Sequence, residues 1–319
     1  MKPPSPSLAQ LARAEQYWRE GRYRQRAVCH LFFRSVPPGS TYAIAAGLQP
    51  AADALRMPRF DVQDIQYLGS LTDAGGQLRF GEGFLNFLQR QAFQCDVDAI
   101  PEGTVCFPYQ PLLRIEGPAI QCLLAEAVML GLIGFSSLAA TQAAQRARTS
   151  LDGAVEEAGL SPAYDESRAA SHTLFHWTSI QQEGGDWKNT GLFADEPAIA
   201  DTPVTLQARR IWAEDGKPVA DILYRSDDGA PQGRYWISSQ NTWLPIPQGR
   251  IENLLAPVFR NGQLARQHPP PAEARQYCLQ QQARFGGGVA ESYPYGLSEK
   301  LYQAWISDAA LPKGYSEIP

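Results

Sequence analysis

From Ser7 to Arg19, the apolar positions Leu8, Leu11, Ala12, Ala14 and Trp18 recur at helical spacing until Glu20-Gly21 stops the run, which predicts an opening amphipathic helix. Ala27 to Phe33 is a β-type run closed by Pro37-Pro38-Gly39, and Tyr42 to Leu48 is a second, so a strand pair is expected behind the helix. Asp61 can cap a helix carrying Val62, Ile65, Leu68 and Leu71, and Phe84, Leu85, Phe87 and Leu88 form the stripe of another. Such aromatic stripes belong to a core rather than to a ligand. The texture then changes: Val97, Ala99 and Ile100, then Val105 and Phe107, then Leu112, Leu113 and Ile115 are separated by Pro101-Glu102-Gly103 and Pro108-Tyr109-Gln110-Pro111. Three short strands joined by tight turns follow from this punctuation.

Gly117-Pro118 suits a helix start, and helical periodicity with many small residues then runs to about Arg148. Its most apolar part, Ala119 to Ala140, contains Gln121, Glu126, Gly131 and Gly134, which a bilayer core would penalise, so a core helix with a large packing partner is expected. Dimerisation through this helix is one way to cover it. Further on, Gly184-Gly185-Asp186 and Pro197 to Pro203 read as loops. Val204 to Trp212, Val219 to Tyr224, Tyr235 to Ser238 and Thr242 to Ile246 read as strands, with helices near 271–283 and 297–308. The fold class is α+β, in three parts: an amino-terminal helix and strand domain over 1–148, a short middle over 149–200, and a β-rich carboxyl-terminal domain over 201–319.

Composition narrows the function. The 319 residues carry 28 Lys+Arg against 33 Asp+Glu, a net charge of −5, with no long run of either sign, which argues against a nucleic-acid partner. With 44% hydrophobic and 19% charged residues the chain is globular rather than disordered. The five cysteines, Cys29, Cys95, Cys106, Cys122 and Cys278, never adopt Cys-x-x-Cys spacing and read as buried thiols in a reducing compartment. The first residues have no apolar stretch behind their charge, so neither a secretory signal nor a membrane partner is expected, and the location expected is cytoplasmic.

The run Cys95-Asp96-Val97-Asp98-Ala99-Ile100-Pro101-Glu102-Gly103-Thr104-Val105-Cys106-Phe107-Pro108, followed by Pro111-Leu112-Leu113-Arg114-Ile115-Glu116-Gly117-Pro118, resembles the strand-rich segment of nicotinate phosphoribosyltransferases. Tyr17-Trp18 with Gly21-Arg22, Leu31-Phe32-Phe33-Arg34, Tyr42 to Leu48 and the helix from Glu126 to Thr141 agree with it. Asp215 to Asp221 and Tyr293 to Leu301 resemble the family's closing domain, so the likeness covers roughly 1–148 and 200–310. It implies salvage of nicotinate onto phosphoribosyl pyrophosphate in NAD metabolism, with ATP hydrolysis through a phosphorylated histidine and Mg²⁺ assisting. That chemistry sits in an α/β barrel, and such barrels take roughly 200–250 residues. Thr149 to Ala200 is far shorter, so the barrel is read as largely deleted.

The departures follow the same pattern. The family's Ser-Gly-Thr-x-Ala-His-Ser and Phe-Gly-x-Arg-Arg motifs and its glycine-rich phosphate loops are not found in this sequence. Its Asp-Leu-Tyr-Gln, whose tyrosine helps form the nicotinate site, aligns with Ser7-Leu8-Ala9-Gln10. The resemblance then implies a catalytically degenerate member acting as a binding or regulatory partner, either a homodimer or a hetero-oligomer with a full-length homologue, with a nucleotide as a possible ligand. Mg²⁺ and ATP are expected only if the family activity survives. The alternatives are an active transferase forming nicotinate mononucleotide, or an enzyme with a new site in the middle segment.

For that new site the candidates are Arg168, His172 and His176. Ser167-Arg168-Ala169-Ala170 echoes a Ser-Arg-Ala-Ala of the family's barrel. His172 and His176 are spaced so that a helix would put both imidazoles on one face, with Asp165 or Glu166 to add a carboxylate. No His-Glu-x-x-His pattern accompanies them, and a surface pair, satisfied buried histidines, or a remnant of the family's histidine motif at His176-Trp177 are the other readings. Arg284-Phe285-Gly286-Gly287-Gly288 reads as a helix stop rather than a phosphate cradle, and although Cys29, Cys106 and His30 suggest a thiol nucleophile, Cys29 and Cys106 fall in apolar strand patterns and read as small hydrophobes.

Overall fold

The structure is a computed structural model and describes residues 6–33, 40–56, 60–149, 174–183, 186–189, 204–229, 232–237, 240–285 and 293–308. Helix α1 (Leu8–Arg19) starts where the sequence predicts: Ser7 accepts from the Gln10 amide, and the Gln10 side chain accepts from the Ser7 N–H, a reciprocal cap. Strand β1 (Arg26–Phe33) follows. The expected strand pair is not formed. Of the Tyr42–Leu48 run only β2 (Ala43–Ile44) is strand, and Leu48 already begins helix α2 (Leu48–Arg56). The turn between them is made by Gly47 at φ +89, where a Cβ would lie 2.5 Å from the Leu132 carbonyl oxygen. Helix α3 (Val62–Ser70) is capped by Asp61 as expected, and α4 (Glu82–Arg90) buries Phe84, Leu85 and Leu88.

Strands β3 (Asp96–Ala99), β4 (Val105–Cys106) and β5 (Leu113–Pro118) are the three short strands. Helix α5 (Ala119–Met129), a π-helical segment (Leu130–Gly134) and helix α6 (Phe135–Thr149) form the long helical stretch. Beyond it come β6 (Phe175–Glu183), β7 (Asp186–Asn189), β8 (Leu206–Trp212), β9 (Pro218–Arg225), β10 (Arg234–Ile237) and β11 (Thr242–Pro245). The chain then forms β12 (Arg250–Asn253), β13 (Ala256–Arg260), β14 (Gln263–Leu264), helix α7 (Pro271–Arg284), β15 (Tyr295–Ser298) and helix α8 (Glu299–Asp308).

Three sheets organise these strands: a seven-stranded sheet in the order β14-β13-β3-β5-β1-β6-β7, a six-stranded sheet in the order β11-β10-β15-β9-β8-β12, and the pair β2-β4. Strand β1 lies between β5 and β6, so both of its edges are taken and none is left for β2. Strands β13 and β14 add to the first sheet through antiparallel pairing of β13 with β3, although they come from the second half of the chain. One hydrophobic core joins the two larger sheets, running from Leu11 and Phe84 through Cys29, Ile115 and Leu123 to Leu206, Leu223, Phe259 and Leu301.

Among the described residues one helical stretch, Ala119–Gln145, is long and apolar enough to cross a membrane. Inside this fold it serves as a core helix, with Ile120, Cys122, Leu124, Ala125 and Met129 buried against α1, α2 and β1. The large packing partner that its periodicity demands is thus the first sheet and its helices.

Candidate functional site

The residues singled out by sequence are not brought together in the described part of the structure. Arg168, His172, Asp165 and Glu166 lie outside the described residues, as does the Gly286-Gly287-Gly288 stretch. His176 belongs to β6, where its backbone pairs with Phe32 of β1, so a helical face does not present it. Arg284 ends α7, as the helix-stop reading expects, with its guanidinium 5.4 Å from the centre of the Trp212 ring.

The buried thiols and His30 prove to be core. Cys29, Cys95, Cys106 and Cys122 are free and buried, whereas Cys278, also free, is only half-buried on α7. Burial pushes the Cys106 thiol up to about 12, and it donates to the Thr104 carbonyl at 3.3 Å, so a nucleophilic thiolate is disfavoured. His30 is fully buried and burial drives its pKa down to about 3, with the Arg114 charge adding to the effect. It is held neutral with Nε2 accepting from the Leu206 amide at 3.1 Å, a structural bond from β1 to the start of β8.

Two polar networks are built on cross-strand pairs, one in each larger sheet, and both reach beyond their own sheet. In the first, Arg210 of β8, fully buried, makes a two-pronged pair with Asp221 of β9: Nε to Oδ1 at 2.8 Å and Nη2 to Oδ2 at 2.7 Å. Its other donors reach Gln281 Oε1 on α7 at 2.9 Å and the Val105 carbonyl of β4 at 2.7 Å. Asp221 also accepts from Gln110 Nε2 at 2.8 Å and the Tyr293 hydroxyl at 2.9 Å. Phe107 covers this network, stacked on Tyr293 at 4.7 Å and Tyr295 at 5.1 Å. In the second, Asp98 takes Arg114 on one oxygen and Arg260 on the other, while Arg114 also donates to Ser226 and to the Leu206 carbonyl. The amino-terminal sheet and the carboxyl-terminal β-rich part are therefore in direct polar contact.

A titratable group stands where α1 meets α5. Gln10 Nε2 donates to Glu126 Oε2 at 2.7 Å, and burial raises the Glu126 carboxyl to about 7. The Gln10 amide is thus used twice, in the α1 cap through its oxygen and on Glu126 through its nitrogen. Ala9, standing where the family motif has its tyrosine, is exposed.

A cavity of about 420 Å³ opens between the turn after α1, helix α4 and the start of α5, lined by Tyr23, Arg24, Asn86, Phe87, Arg90 and Gln121 among others. Sequence reading assigned none of these a role. The signal it could have used is faint: two arginines flanking an aromatic helix stripe, 66 positions apart in the numbering. Among the described residues no group of three or more His, Cys, Asp or Glu side chains is placed to hold a metal ion.

Comparison with known proteins bears on all of this. Residues 7–134 match the family model described as the nicotinate phosphoribosyltransferase N-terminal domain, and residues 206–304 match that of the C-terminal domain. Nicotinate phosphoribosyltransferase pncB2 of Mycobacterium tuberculosis (strain ATCC 25618 / H37Rv) is 41% identical over 138 residues, 43% of this chain and 28% of that protein. The Homo sapiens nicotinate phosphoribosyltransferase is 38% identical over 141 residues, 43% of this chain and 25% of that protein. The stretch matched thus spans only about a quarter of these relatives. Among solved structures, the crystal structure of human nicotinic acid phosphoribosyltransferase aligns with a TM-score of 0.71 at 18% identity, covering 95% of this chain and 99% of that one. The nicotinate-nucleotide pyrophosphorylase from Pyrococcus furiosus aligns at 0.52 with 14% identity, covering 87% and 94%. These two likenesses are of fold.

Proposed function

The chain belongs to the nicotinate phosphoribosyltransferase family, and we propose that it is a member with a reduced catalytic barrel that works by binding, as a regulatory partner in pyridine nucleotide salvage. The observation that carries this reading is the strand direction. A β/α barrel is all parallel, whereas among the described residues the only parallel pairing is β9 with β15. The interval between the two matched regions, residues 135–205, contributes α6 and the β6–β7 hairpin among its described residues. That hairpin pairs antiparallel with β1. A barrel of roughly 200–250 residues has no room in such an interval. Because the interval is internal, flanked on both sides by matched family regions, the position of the chain's ends has no bearing on this.

Chemistry supports the same reading. Transfer from a pyrophosphorylated ribose needs the leaving pyrophosphate neutralised by metal or cationic groups in a preorganised anion cradle. The family's histidine and phosphate motifs are not found in the sequence, and exposed Ala9 stands in place of the ring that would help form a nicotinate site. On this proposal the chain pairs with itself or with a full-length homologue.

The test is to incubate the purified chain with nicotinate, phosphoribosyl pyrophosphate, ATP and Mg²⁺ and to follow nicotinate mononucleotide, alone and with a full-length homologue. No product from the chain alone, together with a complex that changes the homologue's rate, is expected. Product from the chain alone overturns the proposal.

A further inference from the structure

We infer that the 420 Å³ cavity at the start of α5 is a binding site for a small organic phosphate of mononucleotide size, with Arg24 and Arg90 holding the phosphate. The volume falls within the range of roughly 300–1,000 Å³ typical of small-molecule sites. Its lining carries two arginines and no acidic side chain, in a chain whose net charge is −5. Neither Arg24 nor Arg90 forms an ion pair or hydrogen bond among the described residues, whereas Arg19, Arg26, Arg114, Arg210, Arg225, Arg234, Arg250 and Arg260 are each paired with a carboxylate. The Arg24 guanidinium lies 5.4 Å from the centre of the Tyr23 ring and Arg90 ends α4, so the two cations line one concave surface from separate elements and an anion seated there is attracted by both.

The rest of the wall is set in place beforehand. Tyr23 and Phe87 meet edge to face at 5.1 Å, and Phe87 is backed by Trp18 at 6.3 Å. The Gln121 amide is fixed from both ends: its oxygen accepts from the Gln94 N–H at 2.9 Å and its nitrogen donates to the Ala92 carbonyl at 2.9 Å. Helix α5 begins beside the cavity at Pro118 without a side-chain cap, so its positive end adds to the arginines' sign. Half-buried aromatic rings beside a cationic pair suit a ligand with a planar ring as well as a phosphate, and amide side chains suit the polar edge of such a ring. The flanks carry no basic tract to follow a polymer backbone, which favours a mononucleotide over a nucleic acid. The inference does not depend on whether the chain transfers phosphoribose.

The experiment is calorimetric titration of the full chain with AMP, adenosine and inorganic phosphate. AMP is expected to bind more tightly than either fragment, and more weakly as salt is raised. Arg24 and Arg90 are exposed, so Arg24→Ala and Arg90→Ala should keep the wild-type melting temperature while each weakens AMP by about tenfold or more. Ala92→Glu, which puts a carboxylate at the cavity wall, should abolish binding in a protein that still melts normally. Absence of AMP binding to the wild type at about 1 mM, equal affinity for phosphate and AMP, or unchanged affinity in both arginine variants each overturns the site.

Discussion

Replacing Arg210 by Ala tests how the β8–β9 pair is tied to β4 and α7. The guanidinium is wholly out of solvent and donates to Asp221 twice, to Gln281 and to the Val105 carbonyl, so truncation strands a buried carboxylate with only Gln110 and Tyr293 as donors. Breaking one side of a buried ion pair costs about 3–5 kcal/mol, and Asp221→Ala should cost a similar amount because it leaves a buried guanidinium. The double variant removes both charges together. Its loss should fall short of the sum of the singles by about 1–3 kcal/mol, since each single change includes the penalty of orphaning the other partner. The assay is urea denaturation at neutral pH of the wild type, both singles and the double. Because the bonds reach β4, β8, β9 and α7, far-ultraviolet and tryptophan signals should shift together. Additivity within about 0.5 kcal/mol, or a single-variant loss below about 1 kcal/mol, would refute the view that this buried pair ties β8 and β9 to β4 and α7.

Two groups should give stability a pH dependence of opposite sign. Glu126 has a folded pKa of about 7, above its unfolded value, so protonation favours the fold: no penalty exists below about pH 4.5, and it grows to about 2–3 kcal/mol as pH rises through 7. Glu126→Gln should remove that slope in melting temperature measured from pH 4.5 to 8 and stabilise the protein at the upper end; an unchanged slope would tell against a buried carboxyl. His30, with a folded pKa of about 3, is charged in the unfolded chain below about pH 6.5, so stability should fall by up to about 4 kcal/mol as pH drops from 6.5 towards 3. A nuclear magnetic resonance titration showing His30 protonating near its ordinary pKa in the folded protein would refute this.

Much of the fold was legible in the sequence where local physics decides it. Asp61 at the start of α3, the Leu8 to Trp18 stripe of α1 and the Pro101-Glu102-Gly103 turn between β3 and β4 all announce themselves within a few residues. Strands β12 and β14 did not, because Arg250–Asn253 and Gln263–Leu264 are short, largely exposed and lack alternation. The Tyr42–Leu48 run misled because its apolar residues satisfy a two-residue strand, a turn and a helix start in succession, which no single period reveals. The sites were harder. Arg210 sits in an ordinary strand pattern, and nothing near it in sequence signals burial: Gln110 and Gln281, its network partners, are 100 and 71 positions away. Arg24 and Arg90 meet only because the turn after α1 packs beside α4.

On the proposed reduction of the barrel, the fold faces two costs: an open edge on the first sheet and a pair of domains that have lost what lay between them. Strand β6 takes the edge of β1 over seven paired positions, which removes the row of unpaired backbone groups that an edge strand presents to other chains. The junction of the domains is closed by groups that must be paired to be buried at all. Gln110 on Asp221, Arg114 on the Leu206 carbonyl, and His30 on the Leu206 amide each reach from the amino-terminal half to β8 or β9 with a partner in place. With these bonds in place the two halves are held as one folded unit, and the proposed binding role turns on what the surfaces and the cavity of that unit bind.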